Sequence, residues 1–337
     1  ADVSRFGGDE FTLILTDLES YDATARVADR VISSITKPVN IDGKEIFITT
    51  SIGIALAPKN ADDVPGLLKS ADTAMYHAKQ KGKDHYLFYD KKMDAANVEK
   101  LLLERDLKEA LNHRTLEVVY QPQVDIFNGS IVGAEALLRW NHPKLGSISP
   151  SRFIPLAEEI GLISDIGEWS MMIIGQQLNK IKEKLDQSLN ISINISQSQF
   201  NARLVEYLKD MKKDNLIPLE KLTLELTENI LLQSNETNIR LINSLKSMGV
   251  QISIDDFGTG FSSLNYLTQL PLDQLKIDRS FVLNLLDEEN SGNIISAIIA
   301  MTSSLNLQLV CEGVENNFQC EFLGSKGARL IQGYLFS

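Results

Sequence analysis

The sequence predicts an α/β chain in two parts: a modified (β/α)8 barrel with an antiparallel first hairpin, preceded by a smaller α/β unit. Three observations carry that expectation. From Val118 onward eight short apolar runs recur, and helix-length amphipathic segments separate most of them. The first two runs are joined only by the turn around Phe127-Asn128-Gly129, too short for a helical crossover, so they pair antiparallel. Ahead of them, residues 1–90 alternate strands and helices over a length short for a complete domain.

In chain order, Val3 to Phe6 and Asp9 to Leu15 read as two strands joined by the tight turn Gly7-Gly8. Between Asp22 and Thr36, Ala25, Val27, Ala28, Val31, Ile32 and Ile35 fall at helical spacing, and Pro38 ends the segment. Ile46 to Ala55 reads as one strand, Asp62 or Asp63 as the cap of a helix running to Gln80, and His85 to Tyr89 as a further strand. From Lys91 to His113, Val98, Leu101, Leu102, Leu107, Ala110 and Leu111 recur three and four apart. That is an amphipathic helix, which either packs on the following domain or dimerises as a signalling helix. The expected organisation is a unit at 1–90, a linker helix at 91–112 and the barrel at 113–337. The barrel strands are Val118–Val124, Ile131–Ala136, Ile191–Ile195, Leu222–Leu226, Val250–Ile254, Gln274–Ile277, Leu307–Cys311 and Ala328–Ile331. The clearest helices are Trp169–Leu185, Leu204–Lys212, Ile239–Met248 and Ile294–Ser304.

The 33 basic residues stand against 45 acidic ones, a net charge of −12, which argues against a nucleic-acid polymer as partner but leaves room for a small anion held through metal ions. Two cysteines, Cys311 and Cys320, are too few for a disulfide framework and suit a reducing cytoplasm. No apolar run approaches the roughly 18 residues of a membrane span, and no signal peptide is visible. A chain that opens on Ala1 reads as a piece of a longer protein, with an upstream sensor or membrane segment left open.

In such barrels chemistry sits at the carboxyl ends of the strands. Here those ends supply Glu135, Asn194, Glu225, Asp255 with Asp256, Lys276, Glu312 and Gln332. The histidines, His77, His85, His113 and His142, all fall elsewhere. Oxygen donors without imidazole or thiolate favour Mg2+ or Mn2+ over zinc. In the run from Val250 to Gly260, β-branched residues end in two adjacent carboxylates, and Gly258 and Gly260 then let the backbone turn close to a ligand. Taken alone, that pair reads equally well as two solvated acids in a turn. Its recurrence at strand after strand is what points to a site, since clustered unpaired anions destabilise a barrel that has no use for them.

Glu135-Ala136-Leu137-Leu138-Arg139-Trp140 resembles the signature of EAL-domain phosphodiesterases, which open cyclic di-GMP to linear pGpG. The resemblance runs from Tyr120-Gln121-Pro122 to Gln332-Gly333-Tyr334, through Asn194-Ile195-Ser196, Glu225-Leu226-Thr227-Glu228, Asp255 to Gly260, Lys276-Ile277-Asp278 and Glu312-Gly313-Val314-Glu315. It implies that Glu135, Asn194, Glu225 and Asp255 hold one ion, and that Asp255, Asp256 and Glu312 hold a second, with Asp255 bridging. Lys276 then orients water or neutralises phosphorane charge, and Glu312 is a ligand, a general base or both. Gln121, Leu138, Arg139, Glu315 and Gln332 meet the substrate. Glu228 anchors the loop 256–264 and couples it to a homodimer through this domain. With every ligand position intact, the resemblance implies an active enzyme; the alternatives are a receptor that binds cyclic di-GMP without turnover, or a bifunctional protein.

Arg5-Phe6-Gly7-Gly8-Asp9-Glu10-Phe11 resembles the signature hairpin of GGDEF diguanylate cyclases, and Ala71 to Lys79 with Gly82 and Lys83 resembles that family's second motif. The resemblance implies that Gly7 and Gly8 approach GTP phosphates, that Asp9 beside Glu10 binds metal, and that Lys79 and Lys83 meet phosphate. Only the second half of such a domain is covered, so the expectation is a truncated GGDEF unit that makes no cyclic di-GMP by itself. GTP is a partner there only if upstream residues complete the site.

Overall fold

The computed structural model describes the chain except residues 17–20, 42, 83, 114, 182–188, 233–235, 259–264 and 286–288. It divides into two compact units, Ala1–Leu103 and Glu104–Ser337.

In the first unit, β1 (Asp2–Gly7) and β2 (Glu10–Ile14) form the expected antiparallel hairpin. Helix α1 (Tyr21–Ile35) follows, then a second hairpin of β3 (Val39–Ile41) and β4 (Lys44–Ile46), and then β5 (Ile52–Ile54). The single strand expected over Ile46–Ala55 is therefore two. Gly43, at φ 80°, turns the chain back on Val39–Ile41, so Ile46 closes a hairpin, while β5 pairs parallel with β6 (Tyr86–Phe88). Helix α2 (Val64–Gln80) starts where Asp63 accepts a hydrogen bond from the Gly66 N–H at 2.9 Å. It packs unusually close to β5: a Cβ on Gly53 would lie 1.9 Å from the Ala71 carbonyl oxygen, and Ala74 and Ala78 are fully buried. Helix α3 (Lys92–His113) covers the expected linker; Leu107 and Ala110 of its stripe are buried, whereas Val98, Leu101 and Leu102 are exposed.

The second unit takes in α3 from Glu104 onward, then β7 (Leu116–Asp125), β8 (Ile131–His142), β9 (Gly146–Ile148), α4 (Pro150–Glu159) and α5 (Ile163–Ile181). Next come β10 (Asn190–Ile195), α6 (Ala202–Lys213), β11 (Leu222–Thr227), α7 (Glu228–Leu232), α8 (Glu236–Ser247) and β12 (Gln251–Phe257). The remainder is α9 (Asn265–Gln269), β13 (Gln274–Ile277), α10 (Arg279–Leu283), α11 (Glu289–Ser304), β14 (Gln308–Cys311), α12 (Asn317–Ser325) and β15 (Leu330–Ile331). The strands run β10-β11-β12-β13-β14-β15-β7-β8, and parallel pairing of β8 with β10 closes the circle. Seven strands are parallel; β7 alone runs against both its neighbours, as its short connection to β8 requires. Leu185, the expected end of the helix from Trp169, lies outside the described residues.

Alternation sorts each strand. Leu222, Leu224, Leu226, Ile252, Ile254, Leu275 and Ile277 join one apolar core with the surrounding helices. Among the intervening side chains, which face the lumen, Ser192, Thr223, Ser253 and Gln274 are polar and buried. The Gln274 amide donates to Gln308 at 2.9 Å, and Gln123 donates to Gln332 at 3.1 Å. This lumen departs from the branched apolar layers usual in (β/α)8 barrels. Strand β8 also runs past the expected Ala136 to His142, because β9 pairs with its far end and Trp140 is buried there against Phe153. His142 Nδ1 accepts the Lys144 and Leu145 N–H groups, so its Nε2 carries the hydrogen and donates to Asp106 of α3 at 2.9 Å. Among the described residues no helix is long and apolar enough to cross a membrane.

The segment after β15 is clamped to the one after β14. Val314 N–H donates to the Gln332 carbonyl at 3.1 Å and Leu335 N–H to the Val314 carbonyl at 2.9 Å. A Cβ on Gly333 would lie 2.2 Å from that same Val314 oxygen. Gly333→Ala is expected to cost about 2 kcal/mol or more, a fall of roughly 5 °C or more in the thermal unfolding midpoint by calorimetry. An unchanged midpoint would mean that the two segments are not packed as described.

Candidate active site

Parallel register brings the polar strand ends to one mouth. Asn194 of β10 is level with Glu225 of β11, and Asp255 of β12 with Thr227. Ile277 and Cys311 are level and both face the helix core, so Lys276, one residue earlier, and Glu312, one residue later, face the lumen. Gln332 stands one residue beyond β15 in the same way. Glu135 differs from expectation: it sits mid-strand, opposite Gln121 on β7 and Ser192 on β10, because β8 continues past the barrel rim.

Two adjacent acids on a regular strand would point to opposite faces. Asp256 resolves this by adopting φ 53°, and the register of β12 against β13 shifts between Ile254 and Phe257. Phe257 thereby returns to the core while both acids serve the mouth. Ligand oxygens of Asp255, Asp256 and Glu312 lie within 4.8 Å of one another.

Lys276 is the centre of the arrangement. Its Nζ lies 2.6 Å from Glu312 Oε1, 2.7 Å from Glu225 Oε2, 3.1 Å from Glu135 Oε2 and 3.3 Å from Asp255 Oδ1. With only 1% of the residue exposed, the ammonium has no access to bulk water, and these carboxylates hold its pKa well above the usual lysine value despite burial. Asn194 Nδ2 donates to Glu135 Oε1, and Gln332 Nε2 donates both to Glu135 Oε2 and to Gln121 Oε1. Burial pushes Glu135 up, but Lys276 and these amides outweigh it and hold the carboxyl below its ordinary range. Glu225 moves the other way: complete burial and the charge of Glu135 raise it well above normal, and Lys276 offsets only part. Burial also lifts Glu312 to about 7 and, with the charges of Asp255 and Asp278, Asp256 to about 6. One ammonium does not neutralise this group. Glu225 Oε1 is buried with no hydrogen bond, and Asp255 Oδ1 has the ion pair to Lys276 but no hydrogen bond. Buried, under-satisfied oxygens in an all-oxygen donor set fit a hard divalent cation.

The other expected residues are placed less uniformly. Gln121 and Gln332 join the network, and so does Gln123, which the sequence reading passed over although it shares the face of Gln121 two residues away. Asp278, quoted only as part of a motif, caps α10 and acts electrostatically on Asp256. Arg139 is half-buried on the face of Glu135, its Nη1 donating to the Leu138 carbonyl at 2.9 Å. The Leu138 side chain takes the opposite face, that of core residues Ala134 and Ala136, so it is not brought to the mouth with Arg139. Glu315 is exposed beyond the Glu312 turn. Glu228 opens α7 with both carboxylate oxygens buried and without a hydrogen bond among the described residues; of the loop it is expected to anchor, 259–264 lies outside them. In the first unit, Gly7, Gly8, Asp9 and Glu10 occupy an exposed hairpin turn and Lys79 the exposed last turn of α2; Lys83 lies outside the described residues. A cavity of about 500 Å3 opens at the opposite end of the barrel, beside Asp125, Gln308 and Arg329, and holds none of the expected site residues.

Residues 104–337 match the EAL domain, and residues 2–85 match the diguanylate cyclase GGDEF domain. The bifunctional diguanylate cyclase/cyclic di-GMP phosphodiesterase MucR of Pseudomonas aeruginosa is 42% identical, over 99% of this chain and 49% of its own length. The cyclic di-GMP phosphodiesterase PdeR of Escherichia coli is 34% identical, over 99% of this chain and 50% of its own. The chain thus spans about half the length of these curated relatives. Among solved structures, the PaMucR phosphodiesterase in its c-di-GMP complex superposes with a TM-score of 0.68 at 42% identity, covering 70% of this chain and 96% of that one. The EAL domain of Mycobacterium smegmatis DcpA superposes with a TM-score of 0.57 at 33% identity, covering 66% and 92%.

The facing of β14 is open to a direct check. Cys311 is fully buried toward the helices, where burial and the charge of Glu312 push its thiol up to about 12, whereas Cys320 is half-buried. In the native chain a thiol reagent is expected to titrate Cys320 alone, and both thiols after denaturation. Rapid native labelling of Cys311 would reverse the facing of the strand and take Glu312 out of the mouth.

Proposed function

The chain belongs to the EAL domain family, and from that membership we propose that its barrel is a divalent-metal-dependent phosphodiesterase that opens cyclic di-GMP to linear pGpG. The observation that carries this reading is the convergence of Glu135, Asn194, Glu225, Asp255, Asp256 and Glu312 on one mouth around Lys276, a donor set made only of oxygens. Glu135, Asn194, Glu225 and Asp255 would hold one Mg2+ or Mn2+, and Asp255, Asp256 and Glu312 would hold a second. Bound there, the ions supply Lewis-acid polarisation of the phosphodiester and acidify a water.

The chain's own groups do the rest. Lys276 keeps a fixed positive charge beside the reacting phosphate, where charge builds up in the displacement. Glu312, which pairs with Lys276 at the mouth, is placed to take the proton of the attacking water. Arg139, oriented by the Leu138 carbonyl, meets a phosphate; Gln121, Gln332 and Glu315 meet the rest of the nucleotide. Leu138 contributes its backbone rather than its side chain. Glu228 anchors the loop 256–264, and two copies associate through this domain. The amino-terminal unit regulates or packs, and GTP is its ligand only in a longer protein that completes the GGDEF site. The domain division at 1–90, 91–112 and 113–337 belongs to this reading, with α3 as the linker.

Incubation of the chain with cyclic di-GMP is expected to give pGpG with Mg2+ or Mn2+ and none with EDTA, read by chromatography. Asp255→Asn removes the shared charge and is expected to lower turnover by on the order of 10^3-fold or more. Tight cyclic di-GMP binding without pGpG under either metal would instead make the barrel a receptor.

Metal uptake should also depend on pH, and the sign follows from the raised carboxyls. In the metal-free protein Asp256 near 6 and Glu312 near 7 carry protons below those values, and a cation must displace them. Mn2+ affinity is therefore expected to rise by about tenfold or more from pH 5.5 to pH 8. A flat calorimetric profile over this range would remove Asp256 and Glu312 from the ligand set.

A further inference from the structure

We infer that Lys276 is the internal counter-ion of the carboxylate ring, competing with divalent cations for it and so weakening and setting the affinity with which the barrel takes up metal. The inference rests on the metal-dependent reading above. It differs from a role in the reaction, because it operates with no nucleotide present.

Three features lead to it. First, the ammonium is bound to the ligands themselves: four carboxylates lie within 3.3 Å, and each one gives it a single oxygen. Among the described residues no other lysine or arginine forms an ion pair with Glu135, Glu225, Asp255 or Glu312. Second, the ammonium cannot withdraw. Every residue of β13 is buried, and Lys276 itself is 1% exposed at the centre of the lumen, so a cation that enters has to share the ring with it. Third, the charges count in its favour. Glu135, Glu225, Asp255, Asp256 and Glu312 are five carboxylates, and one lysine leaves a formal −4, which two divalent cations cancel. Without the lysine the same ring would be −5, would attract cations more strongly, and would still repel a phosphodiester anion once loaded. The lysine thus relinquishes metal affinity in return for a loaded site that admits an anion, and it supplies enough positive charge for the ring to fold before metal arrives.

The test uses the full chain as wild type, Lys276→Met and Lys276→Gln, titrated with Mn2+ alone at pH 8 in a calorimeter, with folding followed by circular dichroism. Both neutral variants are expected to bind Mn2+ at least fivefold tighter than wild type. A lysine that acts only on substrate would leave the affinity unchanged, and an unchanged or weaker affinity in folded variants overturns the inference. Variants that do not fold in EDTA are refolded with Mn2+. Recovery of the fold shows that a metal charge replaces the ammonium and supports the inference; failure of both variants to refold overturns it. Wild type that binds no Mn2+ would sink the metal-dependent reading as well, whereas wild type that binds and variants that bind no tighter would sink this inference alone.

Discussion

Charge compensation inside a closed barrel is the constraint on which the rest of this structure depends. Five carboxylates gather where a (β/α)8 lumen would ordinarily be filled by branched apolar side chains, and burial penalises the ionised forms of the deepest, Glu135 and Glu225. The chain meets this with a single cation and several amides. Lys276 touches four of the carboxylates, Glu135, Glu225, Asp255 and Glu312, and Asn194 and Gln332 donate in addition to the two oxygens of Glu135. The amides beneath continue the pattern, with Gln123 on Gln332 and Gln274 on Gln308, so the mouth stands on a hydrogen-bonded polar column rather than on an oil-like floor. Glu225 Oε1 and Asp255 Oδ1, which have no hydrogen bond, mark the part of the ring that a divalent cation would complete.

That arrangement was legible in the sequence to the extent that period-two alternation governs it. Leu222, Leu224 and Leu226 announce a strand whose other face must be something else, and Glu225 falls on that other face. The reading fails where alternation is broken or outlasted. Asp255 and Asp256 cannot both face inward on a regular strand, and nothing local in the sequence announces the left-handed residue that allows it. Glu135 looks like a strand end because Leu137 and Leu138 interrupt the pattern, yet β8 runs on to His142 since β9 is there to pair with it. Leu138 follows the strand's alternation and so parts from Arg139, a separation that a linear motif hides. Helix α4, absent from the expected helices, carries Pro150 and Pro155; Pro150 opens the helix, where a missing N–H costs nothing.

The amino-terminal unit makes the complementary point that a motif is not yet a site. Its signature turn, Gly7 to Glu10, is exposed, and Phe6 and Phe11 beside it are 71% and 61% exposed. Among the described residues no second carboxylate or lysine is hydrogen-bonded or ion-paired to Asp9, and Arg5 Nε and Nη2 both donate to the Gly8 carbonyl across the turn. In the barrel, by contrast, the central motif residues are tied to other elements: Glu135 to Asn194 of β10, Lys276 of β13 and Gln332, and Gln332 to Gln121 and Gln123 of β7. The difference between the two units is convergence, which local sequence does not encode.

Convergence also has to survive beyond the strands, because Glu312 and Gln332 each stand one residue past the last ladder pair. Two glycines secure them. Gly313 turns at φ 69° with its Cα so close to α10 that a Cβ would lie 2.4 Å from Arg279 Cβ, which fixes the direction in which Glu312 leaves β14. Gly333 lets the backbone after Gln332 lie directly on Val314, and the bonds between Val314, Gln332 and Leu335 then lock the two exits to each other. A larger residue at either place would separate the exits and move Glu312 and Gln332 independently. The acid that pairs with Lys276 and the amide that orients Glu135 are thus positioned as one rigid pair, and the site keeps its geometry at the point where the sheet no longer enforces it.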